Sequence, residues 1–360
     1  MFLAWNEMKH SKLRYGLVVG VIFLIAYLVF FLTGLANGLA QTNRSAVDSW
    51  KSDYVILNEQ ANKNLRMSRF SVDLKNDVNA DKMAELTQAS TTIKDKEKNK
   101  INVNLFAIKQ DEFLRPKLSE GKLFSKTGEV VADSSLKKSY QLKIGDKITL
   151  GDSTKKLTIT GFTDNASFNV QPVLYMTKET LASVLADNAQ VNTISALVIR
   201  GKVNQVPKEL ESMTTSTFIE NLPGYKAQNL TFSFMIGFLI VIAAIVIGIF
   251  IYILTLQKKA IFGVLKAQGI SNGYLSRMVF AQTFILAILA VSLGLALTLL
   301  SAVFLPTSVP FQVNPLFFAG ISVLMVLIAV FAGQGLQLEI PILRGDPDYA
   351  ASSLHCPYKF

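Results

Sequence analysis

Residues that could perform chemistry are few in this sequence, and their types restrict what that chemistry could be. The sequence has one cysteine, Cys356, and two histidines, His10 and His355. A thiolate zinc site or a disulfide framework needs more cysteines, and a Ser-His-Asp triad needs a histidine beside its serine. The motifs of a phosphate-binding P-loop and an H-E-x-x-H zinc site do not occur. We therefore expect no enzyme activity, no metal site and no intrinsic cofactor.

The overall composition indicates a membrane protein. Half of the 360 residues are apolar and only 17% are charged, whereas soluble domains contain about 25% charged residues. Three charge-free segments cover residues 15–43, 227–257 and 278–338. Because a bilayer span needs about 20 apolar residues, the longest segment holds two spans, separated by the proline-containing stretch 306–315.

The elements that follow from this pattern are four transmembrane helices and one large domain. Lys and Arg are concentrated before the first span and between the second and third, which places both termini in the cytoplasm of a multi-pass protein of the cell membrane. The first span could instead be a signal peptide, but its apolar run exceeds the roughly 7–15 residues of such peptides. The predicted segments are a cytoplasmic amphipathic helix 1–14, span 15–37, outside domain 38–230, span 231–256, cytoplasmic loop 257–277, span 278–304, outer loop 305–315, span 316–335 and cytoplasmic tail 336–360.

The outside domain has the patterns of a mixed α+β fold. Residues 41–226 contain 27 basic and 22 acidic residues, a density typical of a water-exposed domain. Alternating apolar residues predict strands at 53–57, 101–108, 146–150, 156–162, 172–176 and 194–200. Polar helices are predicted at 78–90 and 178–189, with Thr177 as N-cap of the second. The charged run 94–100 is interpreted as a solvated loop rather than a ligand patch, because both signs alternate in it.

The predicted spans contain no Asp, Glu, Lys or Arg. Channels and proton-coupled carriers usually need an ionisable residue inside the membrane. If the protein transports a substrate, the energy for transport therefore comes from a source other than these spans.

The loop between the second and third spans carries the strongest local signal. Its apolar stripe at helical spacing consists of Ala260, Ile261, Val264, Leu265 and Ala267. Gly269 is expected to end this helix. A short amphipathic helix at the membrane face could dock on a cytosolic partner, or it could lie on lipid head groups.

The segment KKAIFGVLKAQGISNGYL resembles the R-E-I-G-V-L-K-A-L-G-A loop of type VII ABC transporter permeases, the MacB/FtsX-like family. The order of parts is also similar: a basic amphipathic start, one span, a large outside domain, three spans and a short tail. Several further segments resemble the haem-efflux branch of that family, among them GEVVADSSLKK, IGDKITL and PGYKAQNLTF. The stretch 342–354 only approximates the family's usual closing motif.

The resemblance implies a permease homodimer that pairs with two copies of a separate cytosolic ATPase in the bilayer, without nucleic acid. ATP would bind to and be hydrolysed on the partner subunit, and its motion would be relayed to the outside domain to extrude haem or a similar hydrophobic toxic compound. This mechanism is mechanotransmission. The implied ATPase-coupling residues are Ala260, Ile261, Gly263, Val264, Leu265, Lys266 and Gly269, with Trp5 and Met8 in the N-terminal helix.

A transported haem needs an apolar slot and an oxygen, sulfur or nitrogen ligand for its iron. Since neither histidine lies in the outside domain, a tyrosine, a methionine or a carboxylate remains as the ligand. The candidate substrate residues are Tyr225, Met235, Tyr27 and Phe31, with Lys226 as a partner for a propionate. Each also has an ordinary interpretation: Tyr225 as an interfacial aromatic anchor, Met235 as a packing or lipid-facing sulfur, and Lys226 as a basic residue beside a span.

Small residues spaced four apart let membrane helices approach closely. The dimer-packing candidates on this criterion are Gly16, Gly20, Gly34 and Gly38. Two alternatives to haem export stay open at this point: an FtsX-like regulator of an outside hydrolase that transports nothing, and a lipoprotein or peptide exporter of the same superfamily.

Overall fold

The computed structural model describes residues 12–94, 100–151, 155–185, 192–257, 259–306 and 309–337. The chain divides into two compact units. The helical unit holds the chain up to Asn37, Thr231–Leu305 and the chain from Phe311 onward. The sheet unit holds Gly38–Leu230 and Pro306–Pro310. The predicted N-terminal helix 1–14 and tail 336–360 lie almost wholly outside the described residues.

The described elements alternate between long helices and a block of strands. The α-helices are α1 (Lys12–Trp50), α2 (Ser134–Tyr140), α3 (Lys178–Leu185), α4 (Thr215–Glu220), α5 (Tyr225–Gln257), α6 (Lys259–Ala267), α7 (Asn272–Phe304) and α8 (Pro315–Gln337). The strands are β1 (Tyr54–Asn58), β2 (Phe70–Ser71), β3 (Asn79–Lys94), β4 (Lys100–Ile108), β5 (Leu118–Gly121), β6 (Glu129–Asp133), β7 (Lys147–Leu150), β8 (Lys156–Thr163), β9 (Ser167–Phe168), β10 (Gln171–Met176), β11 (Thr193–Ile194), β12 (Ala196–Gln205) and β13 (Leu210–Thr214). Two short 3-10 helices cover Glu59–Ala61 and Val72–Asp77.

Three helices of the described chain are long and apolar enough to cross a bilayer: Tyr15–Trp50, Tyr225–Gln257 and Gly273–Phe304. The fourth predicted span corresponds to a shorter apolar stretch, Pro315–Phe331. Helices α1 and α5 extend beyond the predicted spans, α1 at its C-terminal end and α5 at its N-terminal end.

The core of the helical unit is made by small and branched side chains of all four long helices. Ala26 of α1 is fully buried, and a Cβ added at Gly294 of α7 would lie only 2.9 Å from the Cβ of Ala26. Such close backbone approach is typical of membrane helix pairs. Threonine hydroxyls of these helices donate hydrogen bonds to backbone carbonyls of their own helix. For example, Thr298 Oγ1 donates to the Gly294 carbonyl at 2.8 Å.

The sheet unit is built on one mixed sheet of eleven strands, with β2 and β11 forming a separate pair. Its path runs β13-β1-β12-β3-β4-β10-β6-β8-β5, and β7 pairs with both β8 and the end of β3. The pairings β3–β4–β10–β6–β8–β7–β3 therefore close into a ring. Closure of this kind reduces the number of free strand edges that could pair with other chains, although β13 and β5 stay at the two ends of the path. This unit confirms the predicted α+β fold of the domain between the first two spans, and three of the four predicted spans are long enough to cross a bilayer.

Consecutive residues of the central strands point into two different cores. In β4, Leu105 and Ala107 lie in one buried cluster, and Phe106 and Ile108 lie in another. Both faces of the sheet are covered, which explains why these strands read as continuous apolar runs.

The predicted helix at 78–90 is wrong, because this segment is part of the sixteen-residue strand β3. Its Ala, Met, Glu and Leu residues favour a helix locally, but pairing with β12 and β4 on either side outweighs that propensity. The other helix prediction is confirmed at its start. Thr177 Oγ1 accepts a hydrogen bond from Thr180 N at 3.2 Å at the beginning of α3, and residues 186–191 lie outside the described part.

Candidate coupling helix and substrate residues

Helix α6 ends in the geometry that its glycine predicts. Gly269 has φ +84, and its N–H donates to the Lys266 carbonyl at 2.9 Å. Ile270 N donates to the Leu265 carbonyl at 3.1 Å, and both side chains pack against the same apolar core. This pair of bonds with its apolar contact is the Schellman motif, which fixes the direction in which the chain leaves the helix.

The side chains of α6 separate into an anchoring set and an exposed set. Phe262 is only 2% exposed, and Leu265 is partly buried against the same core of the helical unit. Ile261 and Val264, one helical turn apart, are 55% and 59% exposed. Gly263 between them has no neighbouring atom within 4 Å of an added Cβ. The helix is thus fixed by one face and presents an uncovered apolar face on the other.

The remaining predicted coupling residues are placed less uniformly. Lys266 is half-buried in the last turn of α6, where a cation complements the helix dipole. Ala260 lies in the first turn of the helix. Trp5 and Met8 lie outside the described residues.

Tyr27 and Phe31 form a small aromatic cluster inside the helical unit. Their ring centroids are 5.7 Å apart, and Phe31 also contacts Phe311 at 5.5 Å. The Tyr27 hydroxyl lies 3.3 Å from the Ser301 hydroxyl of α7. Met235 of α5 is 46% exposed in the described unit, so its thioether is accessible to lipid, a second copy or a ligand.

Tyr225 and Lys226 belong to the sheet unit at the start of α5. Tyr225 is 7% exposed and packs in the cluster that contains Trp50, Phe218 and Leu222. Lys226 is exposed. Tyr225 is therefore a core residue of this unit in the described state.

The four glycine candidates differ in their surroundings. Gly16 and Gly20 have open space around an added Cβ, as a dimer contact would require. Gly34 is already used within the chain, because a Cβ there would overlap the ring of Phe311. Gly38 is buried in the sheet unit.

The sequence patterns did not indicate how the end of α1 is fixed in the sheet unit. Trp50 is 1% exposed, and its carbonyl accepts two hydrogen bonds from the Arg200 guanidinium, at 2.9 and 2.6 Å. The same guanidinium stacks on the Phe113 ring at 4.2 Å. Arg200 thereby caps the C-terminus of α1 with a charge of the favourable sign.

A tight turn between β9 and β10 makes a second attachment to α1. Asn169 and Val170 both have positive φ, of +48 and +63, which is unusual for a β-branched residue. Their backbone N–H groups donate to the carbonyls of Asn43 and Thr42, at 3.0 and 3.2 Å. The carbonyl of Phe168, at the start of the turn, accepts from the buried Asn104 amide at 2.7 Å. These bonds hold the turn in a strained conformation against the helix.

One side-chain pair links α1 directly to α5 within the sheet unit. Asn43 Nδ2 donates to Gln228 Oε1 at 3.2 Å, and Asn43 is 3% exposed. Two buried atoms beside this pair, Gln228 Nε2 and Asn169 Oδ1, have no hydrogen-bond partner among the described residues. The link is thus a polar contact at the place where the chain enters and leaves the unit.

The most strongly perturbed carboxyl of the described sheet unit is Glu85, which is 1% exposed. Burial would raise its pKa, but hydrogen bonds from Lys109, Lys178 and Lys75, at 2.7, 2.6 and 2.8 Å, lower it to about 2. Glu112 beside it accepts a hydrogen bond from Glu85 N at 2.6 Å, and burial raises the pKa of Glu112. The arrangement has the features of a structural ion network, since three lysines compensate the charge of Glu85.

The geometry defines the class of the molecule: apolar helices that can cross a bilayer, an inserted α+β unit, and a short anchored helix between two of the long helices. Family models agree with this description. Residues 15–213 match the MacB-like periplasmic core domain, and residues 233–334 match the FtsX-like permease C-terminal domain. The chain belongs to the MacB/FtsX-like family of ABC transporter permeases.

Individual relatives are similar over nearly the whole chain. A protein of Staphylococcus haemolyticus named as the permease HrtB of a hemin transport system is 27% identical, with 96% of this chain and 98% of the relative covered. An uncharacterized ABC transporter permease of Mycobacterium tuberculosis strain H37Rv is also 27% identical, with 95% and 97% covered. The periplasmic region of MacB from Actinobacillus actinomycetemcomitans has a TM-score of 0.35 and 17% identity, over 47% of this chain and 93% of that one.

Proposed function

We propose that this chain is the permease subunit of an exporter that is driven by a separate cytosolic ATPase. The observation that carries the proposal is the uncovered apolar face of α6, Ile261 and Val264, on a helix whose other face is anchored. In a family of ABC transporter permeases, such a face suits a groove on an ATPase subunit. The working assembly is two permeases with two ATPases, and Gly16 and Gly20, which have open space beside them, are the preferred dimer contacts.

The proposed topology has four spans, with α8 as the fourth. The N-terminus, α6 and the C-terminal tail face the cytoplasm, and the sheet unit faces outside, as the distribution of Lys and Arg indicates.

The proposed mechanism is mechanotransmission. The Arg200 cap, the Asn169–Val170 turn and the Asn43–Gln228 link attach the ends of α1 and α5 to the sheet unit. Movement of either helix would therefore be passed to the strands, since packed elements shift as bodies rather than deform continuously.

The proposed substrate is haem or a similar hydrophobic toxic compound. The support is the sequence resemblance to the haem-efflux branch and the similarity to a relative named for hemin transport. Tyr27, Phe31 and Met235 are the preferred contacts, because they lie in the helical unit with aromatic or sulfur groups. Tyr225 would have to leave its packed position before its oxygen could bind iron.

The coupling proposal is tested with Ile261→Asp and Val264→Asp in proteoliposomes that contain the permease and its ATPase. We expect each carboxylate to lower ATP-driven haem efflux at least tenfold, because a buried unpaired charge at an interface costs several kcal/mol. The permease itself should fold normally, since both positions are exposed. Leu265→Asp is the contrasting variant, because that residue packs internally and its change should lower the melting temperature.

Unchanged efflux with either exposed-face variant would contradict docking through α6. ATP-dependent activity without haem movement in the native assembly would instead favour the regulator function or export of another cargo.

Haem contact is tested by the absorption spectrum of the purified protein. Haem should give a band shifted from that of free haem, and Met235→Ala should move or weaken it if the thioether is a ligand. His10→Ala with His355→Ala should leave the band in place, because both histidines are predicted to be cytoplasmic. Tyr225→Phe removes the hydroxyl that could bind iron and keeps the aromatic ring that packs in the core. A native protein that binds no haem would contradict the substrate proposal.

A further inference from the structure

The net charge of the sheet unit is confined to one part of its sequence. Residues 41–226 have an excess of five positive charges, and residues 115–156 alone contain ten basic and five acidic residues. The remainder of the domain is therefore electrically balanced. This segment comprises β5, β6, α2, β7 and the first residue of β8, which lie toward the β5 end of the sheet path.

Three pieces of this segment converge at β5. Lys137 of α2 forms an ion pair with Glu120. A Cβ added at Gly121 would lie 2.8 Å from Ile144 Cδ1, in the loop before β7. Lys122 N then donates to the Thr160 carbonyl of β8 at 2.9 Å. The end of β5 thus brings the lysines of α2, of residues 143–147 and of position 122, directly after β5, to one region.

The lysines in this region are available for binding. We call the exposed residues Lys122, Lys138, Lys143 and Lys147 the basic edge. None of the four has a carboxylate within salt-bridge distance in the described part of the chain. Between them lie Tyr140 and Ile144, which are 40% and 43% exposed. The ammonium groups of the four lysines are therefore free to neutralise an external anion.

The chemistry of the basic edge favours one class of partner. Nine of the ten basic residues in 115–156 are lysines, and lysine binds phosphate as a point charge. Protein interfaces are enriched in Arg and depleted of Lys, so this composition disfavours an acidic protein. A membrane-inserting face would present large apolar side chains, whereas only Tyr140 and Ile144 are exposed here.

We propose that the basic edge binds a phosphate-bearing anionic polymer on the side of the membrane that the sheet unit faces. The binding is electrostatic and independent of polymer sequence. It does not depend on what the permease transports.

The experiment measures the affinity of the full-length protein in phosphatidylcholine nanodiscs for fluorescent inorganic polyphosphate between 50 and roughly 300 mM NaCl, a range in which phosphate contacts weaken steeply. The edge variant carries Lys138→Glu, Lys143→Glu and Lys147→Glu. The control variant makes the same change of charge at exposed lysines of the balanced part: Lys82→Glu, Lys202→Glu and Lys208→Glu. Thermal melting of both variants reports their folding.

The native protein should bind polyphosphate, and the edge variant should lose at least tenfold in affinity. The slope of log affinity against log salt should fall by about 2 to 3, because each lost phosphate contact removes about 0.7–0.9 from it. The control variant should retain affinity within about threefold, since its lysines lie outside the basic segment.

Three results would overturn the proposal. Equal losses in both variants would show that only net charge matters. Equal binding of poly-L-glutamate would show that phosphate is not selected and would point to an acidic protein. Loss of co-sedimentation with phosphatidylglycerol vesicles in the edge variant, with polyphosphate binding unchanged, would assign the surface to lipid.

Discussion

Glu85 is held between three lysine ammonium groups, and this environment determines how its charge contributes to stability. Lys178 is itself only 8% exposed, so the two residues depend on each other for charge compensation. The second carboxylate of the network is Glu112, which accepts a hydrogen bond from the backbone N–H of Glu85 where the pairing of β3 with β4 stops. One carboxylate thus neutralises lysines while the other extends a strand ladder.

These roles predict that two chemically equal substitutions change the stability by very different amounts. Glu85→Gln should destabilise the protein by about 3 kcal/mol at neutral pH, because it leaves Lys178 buried without a counter-charge. Glu112→Gln should be close to neutral, because its amide oxygen can still accept from Glu85 N and its burial penalty as a carboxylate disappears. Thermal unfolding of the purified protein measures both.

The pH dependence follows from the direction of the Glu85 shift. A lowered pKa means that the stabilisation is fully present above the unfolded-state pKa of about 4.3 and is lost as pH falls toward about 2. The stability gap between native protein and Glu85→Gln should therefore narrow between about pH 4 and pH 2. A gap that stays constant over this interval would contradict the assigned network.

Among the elements, local signals predicted α6 and its glycine end, the N-cap of α3 and six of the thirteen described strands, namely β1, β4, β7, β8, β10 and β12. They failed at β3, where residues with helix propensity are held by strands on both sides. The Asn169–Val170 turn could not be predicted, because a valine with positive φ is imposed by distant partners, Asn104 and the carbonyls of α1. The spacing of small residues likewise predicted Gly34 as a dimer contact, but it did not indicate that the Phe311 ring fills the space beside this glycine.

The link between α1 and α5 gives a prediction about coupling, which rests on the proposed exporter function. Asn43→Leu and Gln228→Leu should each lower the amount of substrate moved per ATP hydrolysed, and the double variant should be no worse than either single one. Gln41→Leu, the same kind of change two positions earlier in α1, should keep the native ratio. A native transport-to-ATP ratio in both linked variants would contradict a role for this contact in transmission.

At the scale of the whole molecule, charge is segregated from the bilayer-compatible helices. In the three helices that can span a membrane, the apolar stretches contain no Asp, Glu, Lys or Arg. Nearly all charged residues lie in the sheet unit and the short connections. This distribution underlies the proposed orientation, because lysines and arginines are concentrated before the first span and in the short loop between the second and third.

Cysteine labelling tests that orientation in intact cells. With Cys356 replaced by serine, Lys202→Cys should react with a membrane-impermeant maleimide, because its position in the sheet unit is exposed and proposed to be outside. Gln268→Cys, exposed after α6, should react only after the membrane is permeabilised. Labelling of position 268 in intact cells would reverse the proposed topology.

The contact between Asn43 and Gln228 also bears on how such a molecule could have arisen. The polypeptide enters the sheet unit along α1 and leaves it along α5, and these two passages are close enough for a 3.2 Å hydrogen bond. About 180 residues of strands and short helices therefore lie between two neighbouring passages of the chain, as in domains inserted into a host fold. If a gene lost this insert, the remaining ends of α1 and α5 would be close enough for a tight turn to join them.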